Sequence, residues 1–339
     1  MHTYGAIRYY QFGNPADVLQ LIYRRVLKPG AGEVLVRMTA RPINPSDLIP
    51  VRGAYPHRIS LPCIPGYEGV GIVEAIGPSV DPSLLGKRVL PLRSEGTWQE
   101  RVVASSELVI PVPNDLDDDI ACQLYINPLT AWVILTEALR LQPGDFVAVN
   151  ACGSSIGRIF AQLSAILGYR LIAITRSSRH TQELLSLGAS HVIDTSDANT
   201  PSIREAVLSI TEGRGAAAAI DSVGGADGEQ LAYCTCTQGT VISIGLLSGQ
   251  PVHWGEVSRA SKTAVQLFWL RNWVRDASVH TWHDTFGLLI DLIQQNRLRL
   301  SRISERYELA QVKQAVIAAE APASKGKVLL VDADNKSII

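Results

Sequence analysis

The chain has 339 residues, 46% of them apolar and 19% charged, with a formal net charge of -1. That length exceeds what one hydrophobic core usually holds, so two domains are expected. With no dense Lys/Arg block, nothing supports a nucleic-acid or membrane-surface footprint, and the expected partners are small molecules.

The five cysteines (Cys63, Cys122, Cys152, Cys234 and Cys236) are odd in number and include no C-x-x-C pair. This argues against a disulfide framework or a zinc knuckle and for a reduced, cytoplasmic chain. The start enters a β-like run at residues 4–10 without a charged-then-apolar leader, and no apolar stretch approaches bilayer length. No membrane partner is expected.

As far as residue 123 the chain reads as β-rich, with apolar or alternating runs at residues 4–10, 33–39, 69–76 and 87–90 punctuated by Pro and Gly. A compact, barrel-like β domain is expected. Asp115, Asp117, Asp118 and Asp119 precede a helical run over 120–125 and read as a charge complement to a helix N-terminus rather than a metal site. From residue 124 strands and helices alternate, with strands at 170–175, 191–194, 216–221 and 239–244 and helices at 181–187, 202–211 and 281–295. Such alternation specifies a parallel sheet covered on both faces, with its ligand at the carboxyl ends of the strands. The run 327–331 is a last strand, expected to rejoin the first domain. The expected class is α/β, with domains at 1–123 plus 300–339 and at 124–299.

Residues 144–157 organise the second domain. An apolar run of strand length leads into Cys152-Gly153-Ser154-Ser155-Ile156-Gly157 and then into a helical pattern. This is the strand, tight turn and helix of a dinucleotide-binding unit, in which small residues let a pyrophosphate reach orphan N–H donors at a helix N-terminus. Ser155 replaces the usual middle glycine, and G-x-x-x-G also occurs in plain αβ packing. The next strand ends in Arg176-Ser177-Ser178-Arg179, where a reader of the unphosphorylated ribose would carry a carboxylate. Two arginines and two hydroxyls suit a 2′-phosphate, so the expected cofactor is NADPH. The alternative is a solvated basic loop.

With these residues in view the chain resembles the medium-chain dehydrogenase/reductase superfamily. The landmarks are Asn44-Pro45-Ser46-Asp47, Pro65-Gly66-Tyr67-Glu68-Gly69-Val70-Gly71, Asn127-Pro128-Leu129-Thr130-Ala131, Leu141-Gln142-Pro143-Gly144-Asp145 and Gly326-Lys327-Val328. The resemblance implies a GroES-like β-rich catalytic domain and a Rossmann doubly wound parallel-sheet cofactor domain. Zinc-dependent members hold catalytic zinc with a Cys near the Asn44 position and the His of G-H-E. Here Tyr67 replaces that His and no Cys is nearby, so no metal is expected. Without a Lewis acid to stabilise an alkoxide, the feasible hydride acceptors delocalise their own charge, as a C=C conjugated to a carbonyl or a quinone does.

Residues 45–56 and Phe268-Trp269-Leu270-Arg271-Asn272-Trp273 further resemble the zinc-free 2-enoyl thioester reductases of mitochondrial type. That resemblance puts the catalytic tyrosine on Tyr55, as proton donor or enolate stabiliser. Asn44 is implied beside the nicotinamide, and Tyr67 is a second cleft tyrosine. Implied cofactor contacts come from Asn127, from Gly153, Ser154, Ser155 and Ile156, from Arg176, Ser177 and Ser178, from Ile244, Gly245, Leu246 and Leu247, from Phe268, Trp269, Leu270 and Arg271, and from Lys327. The branch usually carries R-x-R where this chain has Arg176-Ser177-Ser178, so Arg179 either substitutes or points away. Tyr67 also departs from the branch's G-N-E-G. Trp269 and Trp273 equally suit a core or a homodimer interface, which the apolar segment 263–269 also implies. The expected substrate is an enoyl thioester, with a quinone or enone as the alternative. A non-catalytic NADPH-binding protein is the reading from another class.

Overall fold

The computed structural model describes residues 3–26, 28–54, 56–94, 96–196, 201–321 and 326–332. They pack as two units, the first from residues 1–126, 277–290 and 300–339 and the second from 127–276 and 291–299.

In the first unit, β1 (Thr3–Arg8) and β2 (Gln20–Arg25) pair antiparallel, with Ala6 opposite Ile22. A seven-stranded sheet is built around β3 (Glu33–Pro42), which pairs antiparallel with β4 (Val70–Ile76) and β6 (Arg101–Ser105). β5 (Arg88–Leu90) and β7 (Ile110–Pro111) continue it beyond β4. Val34, Val36 and Met38 of β3 are fully buried and pack with Val73, Val89 and Val102, because the period of two turns one row of side chains to the core. Gly71 marks the closest crossing: a Cβ there would lie 2.4 Å from the Arg37 carbonyl oxygen, where β3 and β4 slip register.

The second unit is built on β8 (Phe146–Val149), β9 (Arg170–Thr175), β10 (His191–Asp194), β11 (Ala216–Asp221), β12 (Thr235–Ser243) and β13 (Ala264–Leu267). They lie in the order β10-β9-β8-β11-β12-β13, every pairing parallel. The direction of strand succession reverses between β8 and β11, and a crevice opens at the carboxyl ends on either side of such a switch point. The expected parallel sheet is therefore present.

The chain closes on the first unit. β15 (Lys327–Val331) pairs antiparallel with β3 and β14 (Ile303–Glu308) parallel with β15, as expected of the last strand. Two details differ from the sequence reading. The helical run over 120–125 is a short helix Asp118–Ala121 followed by a separate helix Ile126–Val133. Between them the Glu68 carboxylate takes the Tyr125 and Ile126 N–H groups at 3.1 and 2.8 Å, so the second helix starts afresh at those donors. Residues 277–290, assigned above to the cofactor domain, pack instead with the first unit. Trp282 stacks edge-on against Tyr125 at 5.9 Å and donates its indole N–H to the Leu108 carbonyl at 3.0 Å, contacts between residues far apart in sequence.

Candidate functional site

The turn after β8 is shaped by close packing. A Cβ on Gly157 would lie 2.4 Å from the Cys152 Cα, so only glycine lets the helix Ser155–Leu167 approach the strand end. A Cβ on Gly153 would lie 2.6 Å from Cδ2 of His180, whose ring rests on the turn. Ser154 caps the helix by accepting from the Gly157 N–H at 3.2 Å. The turn is held from outside by Arg158, which donates to the Gly153 carbonyl and forks onto both Glu183 oxygens at 2.9 and 2.8 Å.

A cavity of about 540 Å³ opens at the carboxyl ends of this sheet. Gly153 and Ser154 line it on one side and Arg176, Ser177, Arg179 and His180 on another. Arg158 is paired to Glu183, whereas Arg176 and Arg179 form no ion pair among the described residues. Two guanidinium groups with no ion pair among the described residues, facing a cavity beside a helix N-terminus, have the chemistry to hold phosphate groups. Burial, then Arg158 and Arg179, hold His180 below the usual imidazole range, which favours the neutral ring.

Asn150 lines the cavity, and neither it nor its partner Asp221 was singled out by the sequence reading. Asn150 directly follows β8 and Asp221 ends β11, both buried. The Asn150 amide donates to Asp221 Oδ1 at 2.6 Å and accepts from the Ser222 N–H at 2.7 Å, while Asp221 Oδ1 accepts from Val223 and Gly224 at 3.0 Å each. This strap ties the two strand ends flanking the switch point. Thr195, Asp227 and Ser248 also line the cavity. The available signal was a polar residue at the carboxyl end of an apolar strand, which Asn150 and Asp221 both satisfy.

Other expected residues fall elsewhere. Leu247 lines the cavity, and the loop carrying it is fastened by Leu247 N–H to the Ser222 carbonyl at 3.0 Å; Ile244, Gly245 and Leu246 are its neighbours but not lining residues. Ser155, Ile156, Asn127 and Ser178 likewise contribute no lining among the described residues. Trp269 is exposed, with the Arg271 guanidinium 5.4 Å from its ring centre, and Phe268 and Leu270 are half-buried beside it. Trp273 donates to Glu137 at 2.8 Å. Tyr55 lies outside the described residues.

In the first unit Asn44 and Lys327 meet in a buried polar cluster. The Asn44 amide donates to Glu68 Oε1 at 2.7 Å and accepts from the Lys327 ammonium. Asp47 accepts from the Asn44 N–H at 2.8 Å and the Tyr67 N–H at 3.1 Å. Burial pushes the Asp47 carboxyl up to about 7 and raises Glu68, and it lowers Lys327 against the pull of Glu68 and Asp47. Here Lys327 is a partner of Asn44. The cluster does not suit zinc: it offers an amide and hydrogen-bonded carboxylates around an ammonium, and the neighbouring Cys122 thiol is kept protonated by burial. Among the described residues no group of three or more His, Cys, Asp or Glu is arranged to hold a metal ion.

Comparison with known proteins agrees with the fold. Residues 30–114 match the alcohol dehydrogenase GroES-like domain and residues 155–291 the zinc-binding dehydrogenase family. The chain belongs to the medium-chain dehydrogenase/reductase superfamily. Within it, the chain is 33% identical to the human mitochondrial enoyl-acyl-carrier-protein reductase over 332 residues, covering 96% of this chain and 88% of that protein. A Bacillus thuringiensis crystal structure, provisionally assigned as an NADPH:quinone reductase, is 52% identical with a TM-score of 0.95, covering 98% of this chain and all of that one (100%). A mycobacterial protein solved in complex with NADPH is 27% identical with a TM-score of 0.86, covering 96% and 99%.

Proposed function

We propose that this chain is an NADPH-dependent, zinc-independent reductase of an activated carbon–carbon double bond, with a trans-2-enoyl thioester as its leading substrate. The observation that carries the cofactor is the pair of arginines, Arg176 and Arg179, that line the crevice of a parallel sheet with no ion pair among the described residues. They and Ser177 would hold the 2′-phosphate, and the Gly153–Ser154 turn the pyrophosphate. The Asn150–Asp221 strap ties the strand ends beside this cradle. When bound, NADPH supplies a hydride.

Hydride on Cβ of an enoyl thioester leaves negative charge on the carbonyl oxygen, and protonation at Cα completes the reduction. Tyr55 is the residue proposed to donate that proton or a hydrogen bond to the enolate. A phenol with an ordinary pKa of about 10 remains protonated at neutral pH and needs no ionisation to do so. Support for the thioester comes from the 33% identity to an enoyl-acyl-carrier-protein reductase over nearly the whole chain and from the 268–273 segment. The 52% identity to the Bacillus structure favours a second reading, a quinone or enone reductase on the same frame.

Oxidation of NADPH followed with crotonyl thioester, a simple enone and a quinone separates the readings. The thioester is expected to give the highest kcat/KM. A quinone exceeding it supports the second reading, and intact NADPH binding with turnover of none marks a non-catalytic binder.

A further inference from the structure

His180 belongs to neither the glycine turn nor the arginine pair, yet it touches both. Its ring covers Gly153, where an added Cβ would meet Cδ2 at 2.6 Å. Arg179 Nε donates to the adjacent ring nitrogen, Nε2, at 3.2 Å. A neutral imidazole accepts at one nitrogen only, so with Nε2 accepting from Arg179 the proton sits on Nδ1, 3.8 Å from Glu183 Oε2, and the Arg158 amino group 3.3 Å from Nδ1 makes no hydrogen bond to the ring. The Arg158–Glu183 fork backs this edge of the ring, so the imidazole is wedged between a braced turn and the Arg179 guanidinium.

This wedge acts on the arginine. Arg179 is exposed, and a long exposed side chain samples many rotamers, so ordering it on a ligand costs entropy. Binding its Nε to a fixed acceptor removes part of that freedom while leaving both terminal amino groups without partners among the described residues. Those amino groups are the half of the fork that grips a phosphate in bidentate fashion. Glutamate in place of His180 would neutralise the guanidinium; a neutral imidazole orients it and keeps its charge.

We infer that His180 is a positioning residue that aims Arg179 at the 2′-phosphate and thereby sets the preference for NADPH over NADH. This rests on the cofactor reading above and deepens it. The consequence is that 2′-phosphate recognition here uses a histidine-held arginine in place of the second arginine of R-x-R.

The test is calorimetric titration of the full chain with 2′,5′-ADP and with 5′-ADP. Wild type is expected to prefer 2′,5′-ADP; no preference would overturn the NADPH reading itself. His180→Leu is expected to weaken 2′,5′-ADP about three- to tenfold, the worth of one hydrogen bond, and to leave 5′-ADP within about twofold. His180→Gln, which retains an acceptor at the same reach, is expected to restore most of the loss. Combining His180→Leu with Arg179→Ala should weaken 2′,5′-ADP no more than Arg179→Ala alone, because the histidine acts only through that arginine. Undiminished preference in His180→Leu, or equal losses for both ligands, would overturn the inference; the latter means that the ring merely supports the turn. If the leucine variant fails to fold, the exposed Arg179→Ala decides, since full preference in that variant leaves His180 nothing to position.

Discussion

The two units each hold a concentration of polar side chains, and the two groups are put to opposite use. In the crevice of the second unit, Arg176 and Arg179 line a cavity with no carboxylate partner among the described residues, beside the Arg158–Glu183 and Asn150–Asp221 pairs. In the first unit, Asn44, Asp47, Glu68 and Lys327 are fully buried and bonded to one another or to backbone N–H groups. Charge without a partner beside a cavity is a receptor. Charge desolvated and mutually bonded is a structural joint, costly to assemble and costlier to break.

The largest expected effect lies outside both groups. Tyr55→Phe should lower turnover by about 10²- to 10⁴-fold, the usual loss of acid–base assistance, with NADPH affinity nearly unchanged. Unaltered turnover would falsify the role proposed for that phenol. Next, Lys327→Met should destabilise the fold by about 3–5 kcal/mol in urea denaturation, because it strands buried carboxylates. Should that variant keep its stability but lose NADPH affinity, the division between joint and receptor collapses, and the lysine contacts cofactor as its family position implied.

Arg176→Ala should weaken NADPH about ten- to hundredfold through the lost charge-assisted bonds, and NADH by less than about threefold. Equal losses in fluorescence titrations would remove the 2′-phosphate from the crevice. A smaller effect concerns pH. The Asp47 carboxyl is raised to about 7 in the folded chain against an ordinary value near 4 when unfolded, so the native state binds the extra proton between those limits. Its contribution is complete below pH 4 and is lost as pH rises through 7. Asp47→Asn should therefore flatten the pH dependence of Tm across that window, and an unchanged slope would show that the burial does not govern its ionisation. Smallest of all, Arg52→Ala removes an exposed fork onto Glu320 at 2.7 Å and should cost about 0.2–1 kcal/mol.

Much of the cofactor crevice was legible because its determinants are local. The apolar run before Gly153, the Gly157 needed for close approach, and the arginines that follow β9 lie within one strand-turn-helix-strand unit. Asn150 and Asp221 were overlooked because 71 positions separate them, and their bond exists only once β8 and β11 lie side by side. The same holds for Trp282, whose helical pattern was read but whose partner, Tyr125, is distant in the chain. Asn44 and Lys327 were recognised as noteworthy positions, but their mutual bond across 283 positions was not.

Sequence alone determined the alternation of strands and helices, the parallel sheet, the glycine turn and the sign of charge beside it. These follow from side-chain periodicity, steric size and residue chemistry over a few neighbouring positions. Only the tertiary structure decided which arginines have no carboxylate partner among the described residues, which polar residues tie the sheet at its switch point, and which lysine is enclosed. Pairing and desolvation depend on what distant segments bring into contact, and no local pattern encodes that.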